Sequence, residues 1–109
     1  MSMINIEWIE ETVKAVPSQE EKLRMIANAY GLERQIYKPM EECGELVAAA
    51  ARYDSHDYRS GYHLAEEMAD VQVMLEQIKY LLNIRGTVQE YMNEKIERQI
   101  RRMREAGMI

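Results

Sequence analysis

From Ser60 to Asn83 the apolar residues Leu64, Met68, Val71, Leu75, Ile78 and Leu82 follow one another at alternating steps of four and three. That rhythm gathers side chains on one side of an α-helix and on neither face of a strand. Such a seam is built to pack on other helices, so the rest of the chain has to provide them. Arg34 to Tyr53 repeats the pattern through Ile36, Met40, Cys43, Val47 and Ala50. Thr87 to Glu105 carries Val88, Met92, Ile96, Ile100 and Met103.

Helix ends are also marked. Ser18 with Glu21 has the form of a capping box that opens a helix reaching Tyr30, where Gly31 breaks it. Asn5 can cap an earlier helix, Ile6 to Val16, with Trp8, Ile9 and Val13 apolar and Pro17 as its stop. Thr87 and Glu90 form a second candidate capping box, and Gly107 a C-cap. Pro39 is costly in a helix interior, so either the helix kinks there or its regular part begins near Lys38. Asp54-Ser55-His56-Asp57 reads as a polar connection. With only five Gly and two Pro, the expectation is an all-α antiparallel bundle of about five helices.

The 109 residues contain no repeat, linker or low-complexity tract, and are read as a single domain, 1–109. A core of this size is modest, so a homodimer or homotetramer is expected to complete the bundle. No apolar run approaches the roughly 18–20 residues that cross a bilayer, and no membrane partner is expected. The lone Cys43 can form neither an intramolecular disulfide nor a thiolate zinc site, which makes the cytoplasm the default location.

Fourteen basic and nineteen acidic residues leave a net charge of −5, which argues against a general nucleic-acid binder. The acids are concentrated. Glu41, Glu42 and Glu45 form one cluster; Glu66, Glu67 and Asp70 form another. Glu42 and Glu45 each precede a seam residue or its neighbour (Cys43 and Leu46), about 100° round the helix. Glu67 and Asp70 stand in the same relation to Met68 and Val71. Residues three apart are neighbours on a helix surface, so each helix offers a vertical pair of carboxylates beside its packing face. In an antiparallel hairpin the two pairs converge.

Four converging anions need a cation. No Lys or Arg lies four residues after Glu42, Glu45, Glu66 or Glu67 to relieve them. Carboxylate oxygens without thiolates or paired histidines suit Mg²⁺, Mn²⁺ or Ca²⁺ rather than Zn²⁺. The Glu-x-x-His motif of di-iron bundles is absent. A single Glu-x-x-Glu is usually a solvated helix face, but two at matched offsets on helices joined by a short connection point to a metal site.

Glu41-Glu42-Cys43-Gly44-Glu45-Leu46 followed by Glu66-Glu67-Met68-Ala69-Asp70-Val71 resembles the E-E-x-x-E … E-x-x-D signature of the all-α nucleoside triphosphate pyrophosphohydrolases. That superfamily includes MazG, dimeric dUTPases, dCTP pyrophosphatases and phosphoribosyl-ATP pyrophosphohydrolase, and the chain looks most MazG-like. Asn93-Glu94-Lys95-Ile96-Glu97-Arg98 is similar to the family's last helix. The resemblance covers about residues 35–105. It implies that Glu42, Glu45, Glu67 and Asp70 hold Mg²⁺, with Mn²⁺ an alternative, and that Asn93, Lys95 and Arg98 meet a nucleoside triphosphate substrate. It implies hydrolysis of that substrate to a nucleoside monophosphate and pyrophosphate, in a site to which a neighbouring subunit contributes. Gln99 departs from the family, which often carries a basic residue there; Arg98, Arg101 or Arg102 can substitute.

Several residues admit two readings. Glu41 is either the carboxylate that orients or deprotonates the attacking water, or the ion-pair partner of Lys38. The basic run Lys95, Arg98, Arg101, Arg102 and Arg104 either binds phosphate or is a solvated face. Trp8, Tyr37, Tyr62 and Tyr91 can line a base pocket or pack in core and interface. His63 can pair with Glu67 one turn on. Two rivals to the enzyme follow: a non-catalytic metal- or nucleotide-binding module of the same fold, towards which Gln99 leans, and a plain helical interaction protein.

Overall fold

The computed structural model describes residues 16–109, and every regular element among them is helical. The helix expected at Ile6–Val16, with Asn5 and Trp8, lies outside the described residues. The first described helix, α1 (Gln19–Tyr30), opens as its capping signal requires: the Glu21 amide donates to Ser18 Oγ at 3.1 Å. It closes at Gly31, whose φ of +82° is a left-handed value that suits glycine. A single-turn helix, α2 (Leu32–Gln35), follows directly.

The expected helix Arg34–Tyr53 is divided. Ile36 and Tyr37 separate α2 from α3 (Lys38–Ala51), and Pro39 falls in the first turn of α3, where its missing N–H costs nothing. Asp57 caps α4 (Tyr58–Leu81) by accepting from the Arg59 amide at 3.0 Å. The connection is pinned to that helix by Ser60, whose hydroxyl accepts from the Asp54 amide and donates to the Asp57 carbonyl. This short link turns α4 back along α3.

The last helix, α5 (Arg85–Glu105), corrects the capping expectation at Thr87. Asn83 adopts φ +53°, a left-handed turn that asparagine tolerates, and the chain is already helical two residues before Thr87. Arg85 is fixed there by an ion pair with Glu76 at 2.8 Å. At the far end Gly107, φ +73°, donates to the Arg104 carbonyl while the Met108 amide donates to that of Met103, which ends the helix as expected.

Packing differs from the periodicity in one informative way. α3 and α4 form an antiparallel hairpin, with α1 and α2 laid against α4. Yet Ile36, Met40, Cys43 and Val47, the expected seam, are exposed. The face of α3 that meets α4 is the neighbouring stripe of Glu42, Leu46 and Ala49, and the corresponding stripe of α4 is Leu64, Glu67, Val71, Met74 and Gln77. Leu46 and Ala49 share a side with the carboxylates, so this mixed face docks and the purely apolar one is left outward. Among the described elements α5 touches only α4, and it buries none of its residues. The radius of gyration is 20.2 Å, against about 13 Å for a compact chain of this length.

Candidate metal centre

The hairpin brings all four expected ligands together. Glu42 and Glu45 from α3 meet Glu67 and Asp70 from α4, each offering one carboxylate oxygen within 4.8 Å of the others. Their spacing of three on each helix stacks the pairs vertically, and the antiparallel turn sets the two stacks face to face. Glu45 and Asp70 are exposed, while Glu42 and Glu67 are partly buried between the helices.

The electrostatics of the cluster are unfavourable as it stands. Glu42 Oε2 and Glu67 Oε2 are buried and accept no hydrogen bond from the described residues. Burial, and then the charges of Glu45 and Asp70, hold both carboxyls above the usual glutamate pKa. Lys38 opposes this weakly at Glu42, and His63 weakly at Glu67. The expected His63–Glu67 pair is present at the edge of ion-pair range, 4.0 Å. A buried carboxylate oxygen with no donor is costly. The residues fit a hard divalent cation: all four donors are carboxylates, and two of their oxygens lack any other partner.

The remaining expected residues lie elsewhere. Glu41 stands outside the four-carboxylate cluster and pairs with Lys38 at 3.4 Å, the second of its two readings. Asn93, Lys95 and Arg98 are on α5, which makes no contact with α3. Asn93 accepts from Gln89 at 3.0 Å, and Lys95, Arg98 and Arg101 border a shallow depression formed by α5 alone. A single chain therefore does not bring the basic helix to the carboxylates. Tyr37, Tyr62 and Tyr91 are exposed, and none borders the cleft beside Glu42.

That cleft was not anticipated. It has a volume of about 570 Å³ and leads from Glu42 past Lys38 to Tyr30, Arg34 and two buried amides, Gln35 and Gln77. The sequence did contain a signal for it: Gln35 lies seven residues before Glu42 and Gln77 seven after Asp70. Seven residues outward from each carboxylate pair in sequence thus stands the same residue type, on α4 itself for Gln77 and on the preceding α2 for Gln35.

Compared with known protein families, with curated proteins and with solved structures, the chain finds no match.

Proposed function

We propose that the chain is a divalent-metal-dependent nucleotide pyrophosphohydrolase of the MazG-like kind, which takes Mg²⁺, or Mn²⁺ in its place, and splits nucleoside triphosphates into monophosphate and pyrophosphate. The observation that carries the reading is the meeting of Glu42, Glu45, Glu67 and Asp70 within 4.8 Å, with two buried oxygens left without a donor. The motif resemblance supplies the reaction; the cluster supplies the chemistry that such a reaction needs.

When bound, the cation supplies Lewis acidity, offsetting phosphate charge and making water a stronger nucleophile. The four carboxylates hold it, and Lys38 at the mouth adds positive charge for the phosphates. In the reaction, water oxygen bonds to the α-phosphorus and the bond to the α–β bridging oxygen breaks, its electron pair leaving with pyrophosphate. Lys38 is drawn from Glu41 to the incoming phosphates, which frees Glu41 to take the proton from the water.

The chain acts in this reading as a homodimer or homotetramer. Ile36, Met40 and Val47 on α3 and Met92 and Ile96 on α5 offer exposed apolar surface for a second copy. Such a copy can carry its own Asn93, Lys95 and Arg98 towards the carboxylates, which α5 of the same chain does not approach. The deciding experiment measures pyrophosphate and monophosphate release from ribo- and deoxynucleoside triphosphates, with and without Mg²⁺. Metal-dependent release, lost in Glu42→Gln and Asp70→Asn, is expected. Absence of turnover on every nucleotide by folded, metal-binding protein overturns the enzymatic reading.

A further inference from the structure

The cleft beside Glu42 has two chemically distinct ends. At one is Glu42, the member of the carboxylate cluster that lines it. At the other Gln35 Nε2 donates to Gln77 Oε1 at 2.7 Å, joining α2 to α4 across 42 residues of sequence. Both side chains are nearly inaccessible, at 5% and 2% of full exposure. A buried amide is expected to find hydrogen-bond partners, and these two find them mainly in each other. Among the described residues, Gln35 Oε1 accepts nothing, and Gln77 Nε2 donates only to the Met74 thioether at 3.8 Å, a weak acceptor.

The placement is as informative as the chemistry. Glu67, Asp70, Met74 and Gln77 recur at steps of three and four and form one stripe of α4. Gln77 is seven residues beyond Asp70, a rise of about 10 Å along the helix. That span matches the reach from the 5′-phosphates of a nucleotide to the far edge of its base. An amide carries a donor and an acceptor side by side, the same complementary arrangement that base edges present. Tyr30 borders this end, with the Arg34 guanidinium 6.0 Å from its ring centroid, so an aromatic and a planar cation flank the amides. Both are surfaces on which bases stack.

We propose that this cleft is a nucleoside pocket in which the Gln35–Gln77 pair reads the edge of the base, Tyr30 flanks its face, and the phosphates run past Lys38 to the carboxylates. The assignment rests on the nucleotide reading above and adds to it the residues that set base preference. Gln35 and Gln77 touch the base and not the reacting phosphorus. Their loss therefore alters which nucleotide is bound and leaves the handling of phosphate intact.

The test is a calorimetric binding panel of the nucleoside monophosphates of each base, with pyrophosphate and tripolyphosphate as base-free probes, all in Mg²⁺ buffer. Wild type is compared with Gln35→Met and Gln77→Met, which keep side-chain volume and remove the amides, and with Gln35→Glu, which keeps the acceptor edge. Wild type is expected to rank the bases. The methionine variants compress that ranking by about tenfold, the scale of one neutral hydrogen bond, and Gln35→Glu reorders it. Pyrophosphate and tripolyphosphate affinities stay within twofold. Equal affinity of wild type for every base overturns the proposal, as does an unchanged ranking in folded variants. A variant that fails to fold by circular dichroism is replaced by Gln35→Glu, whose unchanged ranking is equally damaging. Base-selective binding without any pyrophosphate release sinks the enzymatic reading and leaves the pocket standing; release without base-dependent binding does the reverse.

Discussion

Glu42 on α3 and Glu67 on α4 each turn one buried oxygen into the same small space, and neither oxygen has a hydrogen-bond donor among the described residues. Both carboxyls are held above their ordinary value of 4.5, first by burial and then by Glu45 and Asp70. A raised carboxyl pKa means that the folded state binds more protons than the unfolded one. Stability is therefore fully present below the unfolded value and is lost as pH rises through the folded one. As pH rises from the unfolded value through the raised folded ones, these two carboxyls should lower the Tm of the metal-free protein. Saturating Mg²⁺ should reverse the trend and raise Tm by about 5 °C or more, since binding to the folded state at a hundred times Kd contributes about 2.7 kcal/mol. Differential scanning calorimetry with Mg²⁺ and with chelator, across pH, measures both effects. Glu67→Gln should flatten the pH dependence and abolish the metal shift.

A second carboxylate behaves in the opposite sense. Glu76 accepts from Lys79 at 2.6 Å and pairs with Arg85 at 2.8 Å, tying the end of α4 to the start of α5. The Lys79 hydrogen bond, and the charges of Lys79 and Arg85, hold its pKa below the usual value against the effect of burial. Its contribution is present above the unfolded pKa and disappears as pH falls through the folded one. Glu76→Gln should cost about 1 kcal/mol at neutral pH and nothing once the wild-type carboxyl is protonated. Urea denaturation at neutral and strongly acidic pH separates the two.

Much of this was legible in the chain itself. Helix existence followed from the four-and-three steps, the ends at Ser18, Gly31 and Gly107 from capping chemistry, and the meeting of Glu42, Glu45, Glu67 and Asp70 from matched offsets on two helices. The packing face of α3 did not follow, because periodicity identifies an apolar stripe without identifying what covers it. Met40 and Val47 satisfy the pattern and still face outward, while Glu42 and Ala49 face α4. The start of α5 was missed for a different reason: the Glu76–Arg85 pair and the left-handed Asn83 are tertiary and turn features that override a Thr-x-x-Glu signal. Gln35 and Gln77 were overlooked since an amide carries no charge to mark it.

Two glycines give opposite expectations. Gly31 has φ +82° between α1 and α2, so Gly31→Ala forces an L-residue into a strained conformation and should destabilise by about 1 kcal/mol. Gly44 lies inside α3, and a Cβ built there meets nothing within 4 Å. Gly44→Ala should therefore stabilise the isolated chain by up to about 1 kcal/mol through helix propensity alone. Thermal melts of both variants at low protein concentration provide the comparison. A loss of stability in Gly44→Ala that grows with protein concentration places that face of α3 against another subunit.

The exposed line of α5 yields the last expectation. Val88 and Met92 line a groove with Leu75 and Ile78 of α4, while Ile96 beyond them is exposed to 54%. A helix of 21 residues without a buried side chain gains little from its own fold, and most helical stability in proteins comes from a packed apolar face. If a second copy supplies that packing, Ile96→Asp places a charge in the interface and should convert the assembly to monomer, with α5 losing helicity at the same time. Sedimentation equilibrium reads the first effect and far-ultraviolet circular dichroism the second. Retention of both mass and helicity in Ile96→Asp argues that α5 is stable alone, and that the basic residues on it reach the carboxylates by no subunit contact through this face.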